Sequence, residues 1–223
     1  MRKLVASFTT GSHATGLVTP NSDKDSLEVY VEDATFYFGL GRNTAKGQTK
    51  VGGEDVLVYE MTDYAAQLWK GNVTFWQTLW QVPYFATGEF ETFHEDAREL
   101  LKTKRPVRTM LGLANRRYMQ GCGHFEKGNY TQGYKDLSAS YNQYMCAAWY
   151  CKYETYPVDV RKDSWFQIAL LMKTGGLQVG FAKQVVESAE RCATAEFEAT
   201  KLREQGDYDT FNAALVNMVK NSL

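Results

Sequence analysis

The N-terminal part of the chain contains four short apolar segments with the length and composition of β-strands. They are rich in β-branched or aromatic residues and are bounded by Gly, Asn and Asp. They are KLVASF, SLEVYV, ATFYFGL and EDVLVYE, at residues 3–8, 26–31, 34–40 and 54–60. Each is predicted to be a strand, so the pattern indicates a small sheet in this part of the chain.

From Thr62 onward the apolar period becomes helical. Thr62 can cap one helix and Asn72 a second. Beyond Pro106 the pattern predicts only helices that end at Gly or Pro breaks. Their expected bounds are 106–127, 130–155, 163–173, 178–205 and 208–221. We therefore expect an α+β fold, with a mixed sheet and flanking helices in residues 1–104 and an all-helical domain in residues 105–223.

Composition adds little to the choice of function. The 223 residues suffice for one large domain or two small ones, and the net charge of −1 gives no global attraction for nucleic acid. Any contact with RNA or DNA would need a local basic patch. The four cysteines are scattered, without a Cys-x-x-Cys pair, so we expect them to be reduced rather than to hold zinc.

The N-terminal residues MRKLVASFTTG contain no long apolar run followed by a cleavage site. We therefore expect no signal peptide. No window of the sequence is apolar enough to predict a membrane-spanning helix. These two features predict a cytoplasmic protein with no membrane partner.

Two aspartates stand at the start of the predicted strand at residues 22–31. Strand alternation puts Asp23 and Asp25 on the same face as Leu27 and the following valines. Two carboxylates roughly 7 Å apart at the edge of an apolar face repel each other. A pair of Mg²⁺ ions bridged by the carboxylates would relieve that repulsion. Taken alone, the motif is a weak signal, and a turn into the strand with both carboxylates in water explains it better.

A second feature lies upstream of the aspartates. Gly11 and Ser12 follow a predicted strand and precede a short predicted helical turn. Glycine lets the backbone approach a ligand closely, and exposed N–H groups in such a loop can bind phosphate. An ordinary tight turn explains Gly-Ser alone. A phosphate-binding loop next to a pair of carboxylates, however, is what a triphosphate with Mg²⁺ requires.

The stretch GSHATGLVTPNSDKDSLEVYV, residues 11–31, resembles the active-site motif of the DNA polymerase β-type nucleotidyltransferase superfamily. It is most similar to predicted nucleotidyltransferases that are common in phages and bacteria, some of them associated with RNA repair. Their motif reads Gly-Ser-x-Ala-x-Gly, then Thr-Pro-x-Ser-Asp-x-Asp. The matching positions are Gly11, Ser12, Ala14, Gly16, Thr19, Pro20, Ser22, Asp23 and Asp25. The resemblance continues over residues 54–82. Beyond residue 105 the chain shares with the family only a pattern that predicts helices.

The resemblance implies a polymerase β-like mixed sheet and a metal-dependent reaction. In that reaction a nucleoside monophosphate moves from a nucleoside triphosphate to an acceptor hydroxyl or phosphate, on an RNA end, a tRNA or a protein. The cofactors implied are two Mg²⁺ ions. The residues implied to be catalytic and to bind the metals are Asp23, Asp25 and Asp55, and those implied to bind the nucleotide are Gly11, Ser12 and Lys135.

The third carboxylate has a competitor in Glu60. Asp55 shares its strand face with Leu57 and Tyr59, whereas Glu60 shares the other face with Val56 and Val58, so periodicity does not choose between them. Asp55 is preferred because it stands at the strand entrance, where the family position usually holds an aspartate.

The chain also departs from the family pattern. Glu28 stands near the position of a usual glycine, Asn72-Val73 replaces the usual Asn-Pro, and YKDLSASYNQY offers Lys135 without a histidine or a nearby arginine. The basic segment RNTAKGQTK, residues 42–50, is predicted to be a flexible hairpin tip, either simply solvated or in contact with acceptor or triphosphate. The alternative hypothesis is therefore a catalytically silent nucleotide-binding or regulatory protein, which a phage could encode.

Overall fold

One mixed sheet forms the centre of the N-terminal half. The structure, a computed structural model, describes residues 2–20, 22–38, 47–51 and 54–223. In that part of the chain the strands are β1 Lys3–Thr10, β2 Asp25–Val31, β3 Gly47–Val51, β4 Glu54–Glu60 and β5 Phe85–Ala86. They lie in the order β3-β4-β2-β1-β5. β2 and β4 pair in parallel and the other neighbours are antiparallel, which confirms the predicted mixed sheet.

Helices make up most of the rest. They are α1 Gly11–Thr15, α2 Ala34–Phe38, α3 Met61–Trp69, α4 Val73–Trp76, α5 Gly88–Leu100, α6 Lys104–Glu126, α7 Tyr130–Tyr153, α8 Phe166–Lys173, α9 Val179–Ala199 and α10 Tyr208–Ser222. After Lys102, the described residues form helices and one isolated bridge between Thr103 and Arg203. The α+β class is confirmed. Among the described helices, none has the length and apolar character that a membrane crossing requires.

The contacts divide the chain into two compact units. The first comprises Met1–Lys102 and Gln205–Leu223, and the second Thr103–Glu204. The last helix, α10, packs on α5 and therefore groups with the sheet rather than with α6 to α9. The domain bounds at residues 104 and 105 stay a prediction.

The core of the first unit supports one face of the sheet. Phe8 of β1 pairs in register with Leu27 of β2, and both are fully buried. The Phe8 ring lies 5.9 Å from that of Phe90 on α5. His94, one turn further along α5, is also buried, and burial lowers its pKa to about 3, so it stays neutral. α5 thus packs against the face of the sheet that carries Phe8 and Leu27.

One predicted strand is wrong. ATFYFGL has the aromatic content of a strand, but residues 34–38 form α2. Asp33 begins the helix, because both its carbonyl oxygen and its carboxylate accept a hydrogen bond from the N–H of Phe36, at 3.0 and 3.3 Å. Local capping by Asp33 therefore outweighs the β propensity of the aromatic residues. Residues 39 and 40 lie outside the described chain.

The basic segment at residues 42–50 also differs from its prediction. Residues 47–51 form β3, which pairs with β4 in antiparallel orientation, so this part is not a loop. Its first residues, 42–46, lie outside the described part of the chain. The register places Lys50 opposite Asp55 along the backbone. The apolar pattern missed β3 because Gly47, Gln48 and Thr49 carry no alternation of apolar residues.

Candidate active site

A short helix follows β1 and brings the chain back across the end of the sheet. α1 spans Gly11–Thr15 and ends at Gly16, which has a left-handed backbone with φ of 79°. Gly11 also has a positive φ, of 64°. Residues with a side chain rarely adopt this conformation. The two glycines of the Gly-Ser-x-Ala-x-Gly motif are therefore needed by the turn itself at both ends of α1.

The Thr-Pro-x-Ser motif forms the turn that leads into β2. The Ser22 N–H donates to the Thr19 carbonyl oxygen at 2.9 Å, and the Thr19 N–H donates to the Ser22 hydroxyl at 2.9 Å. Pro20, at the second position of the turn, supplies the φ that the turn requires. This closed turn determines where β2 begins, and so where the aspartates lie.

The strand register places Asp25 and Asp55 side by side. Asp25 of β2 pairs with Asp55 of β4 in the parallel ladder, and with Thr10 of β1 on its other side. Residues paired in register point to the same face of a sheet, and neighbouring strands lie about 4.8 Å apart. The two carboxylates therefore share one face at the end of the sheet beside α1.

The pKa of Asp25 reflects the negative charges that lie near its carboxylate. The pKa of Asp25 is raised, first by burial, then by the charge of Asp55 and then by that of Asp23, while His13 acts in the opposite direction. The strand begins only at Asp25, so Asp23 precedes it and is exposed. Asp23 is nevertheless close enough for its charge to act on Asp25.

Gly11 approaches the Asp25 carboxylate closely. A Cβ atom built on Gly11 would lie 2.3 Å from Oδ2 of Asp25, a distance that no real side chain tolerates. The role expected for Gly11 was to give a phosphate access to the backbone. The structure adds a second reason for glycine, since any side chain there would displace the carboxylate of Asp25.

From its place beside Gly-Ser, His13 is expected to be simply solvated rather than to contact a phosphate, but in the structure it is half-buried. It lies on α1, and its Nε2 atom is buried and makes no hydrogen bond within the described residues. His13 lowers the pKa of Asp25, against the raising effects of burial and of the neighbouring carboxylates. A histidine between Gly-Ser and Ala has no periodic signal of its own, so only the fold shows this effect.

Glu60, the competitor for the third carboxylate, has a different position and different partners. In the β2–β4 register it pairs with Tyr30, on the face opposite to Asp25 and Asp55. It is 1% exposed and is the N-cap of α3, accepting from the N–H groups of Thr62 and Asp63, and from the hydroxyl of Tyr37 at 2.6 Å. The cap predicted at Thr62 is therefore wrong by two residues, because the Glu60 carboxylate takes that place.

The donor set partly fits a divalent metal. Carboxylate oxygens are the ligands that Mg²⁺ prefers, and Asp25 and Asp55 supply them from adjacent positions. Among the described residues, however, no group of three or more His, Cys, Asp or Glu side chains is arranged to hold a metal ion. The three-carboxylate cluster of Asp23, Asp25 and Asp55 therefore stays a prediction, for which two of the three residues are adjacent.

Lys135 lies in the second unit. It is exposed on α7, and its positive charge, together with the larger effect of burial, lowers the pKa of Lys173 at the end of α8. Its contact with a nucleotide stays a prediction. The sequence around Lys135 offered no histidine or arginine, and in the structure one of each, on α6, contacts the following residue of α7. Arg117 and His124 lie beside Asp136, the residue next to Lys135.

The comparisons with known proteins add a family. The family model described as RlaP, RNA repair pathway DNA polymerase beta family, matches residues 3–162. Among solved structures, a nucleotidyltransferase-like protein from Exiguobacterium sibiricum 255-15 is similar at 11% identity over 89% of this chain and 69% of that one, with a TM-score of 0.36. Similarity at that level supports no conclusion on its own. No curated protein matches the chain.

Replacement of Glu60 separates its capping role from a role in the site. Glu60→Ala removes the N-cap of α3, a loss of about 0.5–2 kcal/mol, and leaves the Tyr37 hydroxyl without its acceptor. We expect a lower free energy of unfolding in urea. Glu60→Gln, which keeps a side-chain oxygen, is the control and should lose less. Unchanged stability of Glu60→Ala, with loss of metal binding, would show that Glu60 belongs to the site.

Replacement of Asp25 tests the charge repulsion. A raised folded-state pKa means that the ionised carboxylate disfavours the metal-free fold, so stability falls as pH rises from the ordinary value of 3.8 through the raised pKa. Asp25→Asn should therefore melt at or above the wild-type temperature at neutral pH without metal, and this advantage should shrink in acid. Glu95→Gln, an exposed carboxylate on α5, is the control and should show no such difference. A large loss of melting temperature in Asp25→Asn would instead make Asp25 a structural residue.

Proposed function

The chain belongs to the RNA repair pathway DNA polymerase beta family, and on this premise we propose that it is a metal-dependent nucleotidyltransferase. It would transfer a nucleoside monophosphate from a nucleoside triphosphate to an acceptor: the acceptor oxygen bonds to the α-phosphorus, and pyrophosphate leaves. The observation that carries the proposal is the register of β2 with β4, which sets Asp25 against Asp55 on one face of the sheet. The ionised carboxylate of Asp25 is disfavoured by burial and by the neighbouring charges of Asp55 and Asp23, and a bound cation would offset this cost.

We assign the metal ligands to Asp25, Asp55 and Asp23. Two Mg²⁺ ions held there would neutralise the carboxylates and supply Lewis-acid stabilisation of the attacking and leaving oxygens. Asp25, on which both other carboxylates act, would serve as a metal ligand, and Asp55 would orient the acceptor oxygen and accept its proton. Asp23, which is exposed before β2, would turn toward Asp25 when its charge is compensated.

The loop at Gly11 and Ser12 is proposed to hold the triphosphate. It follows β1 directly and approaches Asp25 closely, so a phosphate bound to its backbone would lie beside the metal ligands. The Ser12 hydroxyl would donate to the same phosphate. His13, which lowers the pKa of Asp25, would lie between the bound phosphate and the carboxylates.

The acceptor is proposed to be an RNA end. The description of the family names an RNA repair pathway, and an RNA end offers the hydroxyl or phosphate that the reaction needs. The protein would act in the cytoplasm without a membrane partner. A tRNA or a protein hydroxyl are the other acceptors that the same chemistry could use.

The second candidate function is nucleotide binding or regulation without turnover. Such a protein could be encoded by a phage. The observation that favours this function is the absence, within the described residues, of three acidic or metal-binding side chains arranged around one point. Nucleotide binding would then need the loop alone. The two functions differ in the products formed, because only a transferase would attach label from the nucleotide to RNA.

Transfer should depend on the two aspartates that share the register. We expect wild-type protein to attach label from an α-³²P-labelled nucleoside triphosphate to RNA in the presence of Mg²⁺. Asp25→Asn and Asp55→Asn should each reduce transfer by a factor of at least about 10³, because the loss of a metal ligand removes several kcal/mol of transition-state stabilisation. Glu60→Gln is the matched control, because it replaces a buried carboxylate on the opposite face, and it should keep transfer. Nucleotide binding without transfer in the wild type would favour the regulatory function.

The loop should contribute to nucleotide affinity. Ser12→Ala removes one hydrogen bond to a charged group, worth about 1.5–3 kcal/mol, so affinity should fall roughly ten- to hundredfold. Gly11→Val should weaken nucleotide binding further, and it should also lower the melting temperature, because its side chain strains a backbone of positive φ and displaces Asp25. Calorimetric titration with Mg-ATP and Mg-CTP, beside melting curves, measures both effects. Unchanged affinity in Ser12→Ala would remove the hydroxyl from the proposed site.

A further inference from the structure

A polar depression lies in the second unit, where the end of α6 meets the start of α7. Its volume is about 500 Å³. The polar side chains that line it are Arg117, Gln120 and His124 of α6, Lys127 directly after the end of α6, and Gln132 and Asp136 of α7. The helices approach closely here, because the residue on α7 one turn before Leu137 is Gly133, where a Cβ would lie 2.9 Å from the Phe125 ring. Close packing makes this a preformed site rather than a loop surface.

Asp136 is the buried centre of this depression. Its side chain is 4% exposed, and both of its oxygens have partners. Oδ1 accepts from Nη1 of Arg117 at 2.9 Å, and Oδ2 accepts from Nε2 of Gln132 at 3.3 Å. Nε2 of His124 lies 3.6 Å from Oδ2. A buried carboxylate is stable only with such partners, so Asp136 orients the arginine and the histidine.

The side chains around the depression carry more hydrogen-bond donors than Asp136 accepts from. Arg117 has five N–H donors, and within the described residues it commits one nitrogen, to Asp136. Lys127 and Gln120 are exposed and have no side-chain hydrogen bond or ion pair in the described part of the chain. The depression therefore holds two permanent cations against one carboxylate, and that carboxylate is already occupied. Such a surface is complementary to an anion.

We propose that this depression binds a phosphate group. Arg117, held by Asp136, presents its remaining N–H groups as a planar fork, which matches two phosphate oxygens. Lys127 adds a mobile point charge, and His124 adds a second donor direction when protonated. The first turn of α7, a helix of 24 residues, contributes the positive end of its dipole at Gln132. Asp136 is a positioning residue that does not contact the phosphate.

The same chemistry can come from two sources, a phosphate of an RNA strand or a phosphate of a free nucleotide. The inference goes beyond the proposed function, because it concerns residues of the second unit and needs no catalysis. A protein that proved unable to transfer nucleotides could still bind phosphate here, and a competent transferase could lack the site. Binding and transfer are therefore tested separately.

Arg117→Met is the principal variant, since it keeps most of the side-chain stem and removes the charged fork. Arg116→Met is its matched control, because Arg116 is the neighbouring residue on α6, is exposed, and makes no hydrogen bond or ion pair in the described chain. Lys127→Met tests the site without touching Asp136. The double variant Arg117→Met with Asp136→Asn removes the buried charge together with its partner, so folding is restored if Arg117→Met alone is unstable.

The binding probe is a short fluorescent ribo-oligonucleotide carrying a 5′-phosphate, and its binding is followed by anisotropy. The competitors are the same strand without the fluorophore, its 5′-hydroxyl form, ATP without metal, and inorganic phosphate. We expect affinity for the phosphorylated strand to fall about tenfold or more in Arg117→Met and in the double variant, since a charge-assisted contact is lost. Lys127→Met should cause a smaller loss, and Arg116→Met almost none. The side-chain Nε–Hε signal of Arg117 in an NMR spectrum should shift on addition of inorganic phosphate.

The competitors identify the source of the phosphate. Stronger competition by the phosphorylated strand than by its hydroxyl form assigns the site to an RNA phosphate, and stronger competition by ATP assigns it to a nucleotide. Equal weakening in Arg116→Met and Arg117→Met would show that only the overall charge of α6 acts, and would overturn the site. An unchanged Arg117 signal together with unchanged affinity in the double variant would overturn it as well.

Discussion

The parallel pairing of β2 with β4 is the constraint on which the rest of the candidate site depends. This register sets Asp25 directly beside Asp55 and so places two negative charges within one strand spacing. The elements around it determine that register. The Thr19–Ser22 turn determines where β2 begins, the Phe8–Leu27 pair anchors its apolar face on α5, and Glu60 ends β4 by capping α3. A shift by one residue would turn the buried valines of β2 to the other face.

Glu60 and Asp55 show how the same chemical group serves two purposes within seven residues of one strand. Glu60 is buried, but it accepts hydrogen bonds from a helix N-terminus and a tyrosine, so these bonds stabilise the fold. Asp55 lies on the opposite face, against another carboxylate, and raises the pKa of Asp25. Glu60, which helps folding, and Asp55, which opposes it, thus lie on opposite faces of β4. The opposing pair is where we propose that a metal binds.

Much of the fold could be predicted from the chain alone, because strong periodicity is a local property. β1, β2, β4 and the long helices follow apolar patterns that their packing preserves. The failures have local causes as well. α2 forms because Asp33 caps an aromatic segment, and β3 forms because its backbone pairs with β4 although its residues carry no apolar signal. The choice between Asp55 and Glu60 depended on register, and the cluster of Arg117, His124 and Asp136 depended on the packing of two helices, neither of which periodicity reveals.

The central claim is that Asp25 and Asp55 form the core of a metal site. The most direct measurement is a crystal structure of the protein with Mn²⁺ and a non-hydrolysable nucleoside triphosphate, in which the anomalous signal of the metal gives its position. We predict a metal peak in contact with oxygens of both Asp25 and Asp55, with the Asp23 carboxylate turned toward it and the triphosphate beside Gly11. A triphosphate bound with its metal away from both carboxylates, or a metal held by Glu60, would contradict the account.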